Sequence, residues 1–206
     1  MNLDWSQAFR SWPSPTPGWR DWFHRIAASY RTQWEEYDIG QCLNLSLSKM
    51  IRNELMLTSA SFFWSNALNA FLFGHEPMTP TLLDVLMLTG LNISAPDRSY
   101  DLLAKATSKF ETRNIRGWKG YIAKNAKTGP VVLREHVAFL NMWLEKFIFC
   151  GKTVGPTVNT LKMAEMLAEG NMIPIGKHLL GSVYHLLHHV SVKLRTGQPI
   201  SNLGGP

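Results

Sequence analysis

Apolar residues recur at three- and four-residue steps through most of this chain, the spacing of amphipathic helices. Over residues 19–37 the stripe is aromatic, with Trp19, Trp22, Phe23, Ile26, Tyr30 and Trp34 on one face of a predicted helix. Residues 40–57 are expected to form another, with Leu43, Leu47, Met50, Ile51, Leu55 and Leu57 turned inward. The pattern then changes. Phe62 to Trp64 and Ala70 to Phe73 are short aromatic runs, and Ser65-Asn66-Ala67-Leu68-Asn69 between them has hairpin-loop length, so a small β-hairpin is predicted within 61–74. Gly74 ends it. Thr79 or Thr81 caps the next helix, Pro80 and Asp84 fall in its first turn, and Gly90 stops it. Leu82, Val85, Leu86, Met87 and Leu88 supply its apolar face.

Beyond a loop at 92–97, Ser99 and Asp101 can start a helix whose buried side would hold Tyr100, Leu103, Ala104 and Phe110. Gly117, Gly120 and Gly129-Pro130 break residues 112–130 into short pieces. From Val131 the helical pattern returns, with Val132, Val137, Phe139, Leu140, Trp143, Leu144, Phe147 and Ile148 on one broad face ending near Cys150-Gly151. A short helix over 157–169 and a last one over 174–195 complete the reading. The fold class is therefore mainly α: one globular domain of about seven or eight helices with a single small hairpin near 61–74. Three parts are expected: a Trp/Pro-rich arm at 1–18, the helical domain at 19–197, and a tail at 198–206 that reads as a domain cut short.

Composition adds bounds. With 206 residues and 45% hydrophobic content the chain can bury a sizeable core, and no apolar run approaches membrane-span length. Cys42 and Cys150 lie far apart and outside any Cys-x-x-Cys pattern, which fits a reducing compartment. Five of the eight tryptophans fall within the first 34 residues. The first reading is that the 19–37 helix and its arm clamp onto the core; the alternative makes Trp5, Trp12, Trp19 and Trp22 candidate partner-docking residues.

The net charge of +6 is local. Lys105, Lys109, Arg113, Arg116, Lys119, Lys124 and Lys127 stand against the single acid Glu111 in residues 105–127, and the rest of the chain balances. A continuous helix would align Lys105, Lys109, Arg113 and Arg116 into one stripe, and Trp118 and Tyr121 interleave aromatics among the later lysines. Cations with stacking partners suit a phosphate backbone, single strands included, while the plainer reading of the run is a solvated surface face near Gly-rich loops. No zinc-finger or homeodomain pattern is present, so any binding would be weakly selective in sequence and strongly salt-dependent.

Other chemistry fares less well. Asp84, Asp97, Asp101, Glu135, Glu145 and Glu165 show no spacing that favours a metal-binding carboxylate triad, and Asp84 and Glu135 read as helix-start residues. Glu76 is expected to bond turn amides. His178, His185 and His189 share a side of the last helix, and His185 with His189 has chelating spacing. Further ligands would have to come from Cys42, His75, His136 or Cys150, and nothing in their positions supports a site, so no metal or other cofactor is expected.

Several stretches together resemble the plant mobile domain family. They are the aromatic run ending in Trp64, Asn69, Phe71-x-Phe73, the Gly74/Glu76 turn, Met78-Thr79-Pro80-Thr81-Leu82-x-Asp84-Val85 and Leu88-Thr89-Gly90-Leu91. Phe139 to Gly151 and Ala164 to Leu187 add two later blocks, so the resemblance covers about residues 40–206. One departure is Gly74-His75-Glu76, where the family usually has Gly-Glu. The resemblance implies a transposon-related, non-catalytic domain of a nuclear complex acting in transposon silencing, gene expression, genome integrity and meristem maintenance. It also implies a protein partner, a PP7-type serine/threonine phosphatase. Family labels sometimes read "aminotransferase-like", but no Schiff-base lysine context, phosphate loop or α/β alternation is visible here, and aminotransferase activity is not expected. The alternative reading is direct DNA or RNA binding through 105–127, as a transposon accessory domain.

Overall fold

The computed structural model describes residues 14–198, apart from positions 50, 52, 97, 98, 152 and 154. Its helices are α1 (Trp19–Glu36), α2 (Gly40–Leu45), α3 (Glu54–Phe62), α4 (Leu82–Thr89), α5 (Ser99–Leu102), α6 (Gly117–Asn125), α7 (Leu133–Trp143), α8 (Leu161–Ala168) and α9 (Ile175–Arg195). Helix α7 continues into a π-helical turn, Leu144–Ile148, closed by Phe149 N–H donating to the Leu144 carbonyl at 2.8 Å. The chain is one mainly helical domain with a small antiparallel sheet, as its hydrophobic pattern predicts.

The core is built on α7, every residue of which from Glu135 to Trp143 is buried. Helix α1 crosses it, and the predicted aromatic stripe closes on a single side chain. Trp19 stacks on Phe139 at 4.7 Å, Trp34 stacks on it at 5.5 Å, and Trp22 meets it edge-on at 5.4 Å. Each such pair adds about 0.5–1.5 kcal/mol to the burial itself. Helices α6 and α8 pack against α7 as well.

A second group of elements hangs on α9. Strand β1 (Trp64–Ser65) pairs with β2 (Ala70–Leu72), and β2 pairs in turn with β3 (Pro77–Met78). The register sets Trp64 opposite Phe71 and Phe71 opposite Met78. The predicted hairpin is thus present, with Phe62 ending α3 instead of opening β1, and it gains a third strand. That strand forms because Gly74, at φ +90°, reverses the chain immediately after Phe73. The capping box on α4 is also present. Thr81 Oγ1 accepts from Asp84 N–H at 3.2 Å, Asp84 accepts from Thr81 N–H at 2.7 Å, and Gly90 closes the helix at φ +70°.

Two helix expectations are corrected. Residues 40–57 do not form one helix: α2 stops at Leu45, and Leu43 is buried while Ile51 and Leu55 are exposed. Ser46 is consumed there, accepting from Trp19 Nε1–H at 3.0 Å and donating to the Leu43 carbonyl, which turns the chain. Asn53 then caps α3 by accepting from Met56 N–H at 2.9 Å. Likewise α5 ends at Leu102, leaving Tyr100 and Leu103 exposed, and of the four predicted buried positions only Phe110 is buried. The reason is tertiary: Glu165 on α8 takes the backbone N–H groups of Thr107 and Ser108, holding them out of any helix.

Candidate functional site

The basic residues keep their exposure and lose their predicted alignment. Lys105, Lys109 and Arg113 lie on non-helical chain, and Arg116 takes a left-handed φ of +58° immediately before α6. Lys119 and Lys124 are on α6 and Lys127 follows it, so no single helix face carries the seven cations, all of which are exposed. The four-residue stripe is therefore corrected to a looped basic rim. Lys124 is ion-paired with Glu111. The segment is anchored by Phe110, buried against Tyr121 and under the Arg134 guanidinium at 4.7 Å, while Arg134 also donates to the Lys109 carbonyl. Gly120 allows the close turn: a Cβ there would stand 1.3 Å from the Ile115 carbonyl oxygen.

Beside this rim lies a cavity of about 270 Å³, walled by Trp118 of α6 and by Phe149, Thr153, Asn159 and Thr160 of the connection from the π-helical turn to α8. The buried Glu145 organises that connection. Its carboxylate accepts from the backbone N–H groups of Thr157 at 2.7 Å and Asn159 at 2.9 Å, and from the Thr157 hydroxyl. Asn141 adds a bond to the Thr157 carbonyl and one from the Thr160 hydroxyl at 3.0 Å. The loop also runs close to the start of α6, since a Cβ on Gly155 would be 3.9 Å from Gly117 Cα.

Three glutamates from the acid candidates thus do the same kind of work at different places. Glu135 accepts from Arg25 at 2.8 and 2.9 Å and from Trp22 Nε1–H at 3.1 Å, a tertiary role beyond its place in the first turn of α7. Burial alone would raise its carboxyl, but Arg25, the Lys127 amide and Trp22 outweigh that and hold it below the ordinary carboxylate range. Burial opposes the charge on Glu165 too, and the donors of Ser108 and Thr107 likewise win. Each carboxylate faces its own donors, and among the described residues no group of three or more His, Cys, Asp or Glu side chains is placed to hold a metal ion. Cys42 and Cys150 are free, buried thiols, each pushed up to about 12 by burial. His136 instead accepts from Trp34 Nε1–H at 2.9 Å.

The proposed docking tryptophans divide. Trp5 and Trp12 lie outside the described residues. Trp19 and Trp22 are core residues, with their indole N–H groups bonded to Ser46 and Glu135, so they are not available to a partner.

What the surface does offer is the outer side of the α3–sheet–α4 lobe. Trp64 is buried, and a run of rings leads outward from it through Phe71 at 4.9 Å and Phe73 at 5.3 Å to Phe63. Phe62, Leu68, Met78, Leu83, Met87 and Leu88 are exposed around them. On α4 only Val85 is buried. Tyr184 of α9 fastens the lobe, donating to the Pro80 carbonyl at 2.7 Å and lying 2.9 Å from Thr79 Oγ1, which donates to the Asn69 carbonyl. The quoted motif therefore builds this lobe: Asn69 at φ +50°, Gly74, Thr79, Pro80, Thr81, Asp84 and Gly90 shape its turns, and Leu82 is half-buried. Glu76 is exposed in the turn before β3, with no hydrogen bond of its carboxylate among the described residues, contrary to the expected bond to turn amides.

Sequence reading missed the cavity, because its walls come from residues 118 and 149–160, and it missed the Glu145 clasp. The available signal was a carboxylate set, beside Lys146, among the apolar residues of 142–148, followed by the donor-rich Thr157-Val158-Asn159-Thr160. No curated protein and no solved structure gives a significant match to the chain. The family model for the plant mobile domain matches residues 38–203, from the turn after α1 into the tail, and the chain belongs to that transposon-related family.

Proposed function

We propose that this chain is a non-catalytic interaction domain of a nuclear complex that acts in transposon silencing, gene expression and genome integrity, with a serine/threonine phosphatase as partner. The observation that supports this reading is the uncovered apolar lobe. A helix as apolar as α4 is normally buried all round, yet Leu83, Met87 and Leu88 face solvent. Apolar surface of this kind marks protein contacts on soluble domains. Between Arg52 and Arg98 the sequence holds no lysine or arginine, so the lobe carries only a few acids, Glu76 and Asp84 among them, around its apolar surface. Trp5 and Trp12 of the arm are a second docking element in this reading.

The test is direct binding of a purified PP7-type phosphatase to the chain, measured by calorimetry. Met87→Lys with Leu88→Lys, and separately Trp5→Ala with Trp12→Ala, are expected to weaken it at least about tenfold, as loss of central apolar anchors does. Unchanged affinity in both double variants would refute the assignment.

A second reading, direct nucleic-acid binding, is favoured by one specific observation: Trp118, set between the exposed Arg116 and Lys119 in sequence, forms part of the wall of a cavity that Phe149 also lines. Charge reversal at Lys109, Arg113, Arg116 and Lys119 tests it, with loss of DNA and RNA binding at low salt as the expected result.

A further inference from the structure

We infer that the cavity between α6 and the 149–160 connection is a slot for one nucleobase of a single strand, with the strand's phosphates held at the basic rim. This rests on the nucleic-acid reading and adds to it a site and a mode of contact. Size comes first. A volume of about 270 Å³ falls just below the range of drug-sized sites, which leaves room for one flat ring system.

The walls are chemically suited to a base. Trp118 and Phe149 supply aromatic surface, and Asn159 carries both a donor and an acceptor of the kind that reads a base edge. Aromatic stacking is tolerant of base identity, consistent with weak sequence preference. Arg116 and Lys119 flank Trp118 in sequence and are exposed, so cations available to a strand's phosphates stand on the same short stretch as the slot's aromatic wall.

The slot is also built in advance. Glu145 and Asn141 fix the connection through backbone and hydroxyl bonds at Thr157, Asn159 and Thr160. Trp118 is held edge-on against the buried Tyr121 at 6.1 Å. Trp118, Thr157, Asn159 and Thr160 are thus held by the protein's own contacts, which lowers the entropy cost of binding.

The experiment uses the full chain and two fluorescent twelve-nucleotide probes of equal length and charge, an oligo-dT and its abasic counterpart, at low and moderate salt. The base-bearing probe is expected to bind roughly tenfold more tightly, the effect of one stacked base. Trp118→Ala is expected to erase that difference and Trp118→Phe to keep most of it, with thermal melts checking the fold. Equal binding of the two probes to the wild-type chain overturns the slot while leaving the charge-based reading in place. That comparison needs no variant. No binding of either probe at low salt removes the slot and the nucleic-acid reading together.

Discussion

The indole N–H of Trp34 on α1 donates to Nε2 of His136 on α7 at 2.9 Å, and the Tyr30 ring stacks on the same imidazole at 3.8 Å. This contact assigns the ring proton to Nδ1, which is buried without a hydrogen-bond partner among the described residues. Burial holds the imidazole's pKa down to about 3. The two helices that form the core are therefore locked through a histidine that must stay neutral.

The pH dependence follows from that neutrality. An unfolded histidine titrates near 6.5, so below that pH the unfolded chain takes up a proton that folded His136 refuses until about pH 3. Stability contributed here is complete above about pH 6.5 and declines as pH falls, by up to about 1.4 kcal/mol per unit. His136→Gln, which can still accept from Trp34 but cannot titrate, is expected to flatten the decline between pH 6.5 and 5. Urea denaturation of both proteins across that range is the check, and equal slopes would contradict it.

Removing the Arg25 guanidinium leaves Glu135 charged, nearly inaccessible and short of its two strongest donors. Arg25→Ala is expected to cost about 2–3 kcal/mol at neutral pH, less than a fully buried pair because Arg25 is itself partly exposed. The folded Glu135 carboxyl sits below its unfolded value, so the contribution exists above roughly pH 4.5 and disappears as pH falls through the folded pKa. Chemical denaturation at pH 7 and at successively lower pH should show a difference from wild type that is large at neutrality and shrinks as the pH falls below about 4.5.

Phe139 meets Trp19, Trp22, Phe23 and Trp34 at once. Phe139→Ala is expected to lose about 3–5 kcal/mol, the cost of a large core cavity. Phe139→Leu should recover part of it. A denaturant midpoint series separates the two, and a loss under about 1 kcal/mol for the alanine variant would place the core elsewhere.

Gly120→Ala drives a methyl group into the Ile115 carbonyl. Either α6 shifts or the turn through Asn114 and Arg116, both at positive φ, is forced open. A loss above about 2 kcal/mol is expected, in the range of overpacking at a rigid site. Amide hydrogen exchange should localise the loosening to residues 113–122.

Met87→Lys and Leu88→Lys change residues that are 71% and 72% exposed. Each is expected to alter folding stability by no more than about 0.5 kcal/mol. A melting curve matching wild type, alongside lost partner binding, would separate an interaction role from a packing role.

Much of the fold was legible in the sequence, because it was written in local terms. The 19–37 stripe, the aromatic hairpin, the Thr81/Asp84 cap and the Gly90 stop each depend on residues within a few positions of one another, and each stands in the structure. The family motif was legible for the same reason. The charge of 105–127 was readable too, but its arrangement was not. Whether that segment is helical is settled by Glu165, some 58 residues away, which takes the amides a helix would have used. In the same way Trp19, a candidate for docking by composition, became core because Phe139 and Ser46 meet it. Local pattern determined which elements could form. Long-range donors, acceptors and ring contacts decided which of them did, which apolar side chains stayed in solvent, and where a cavity opened beside the cations.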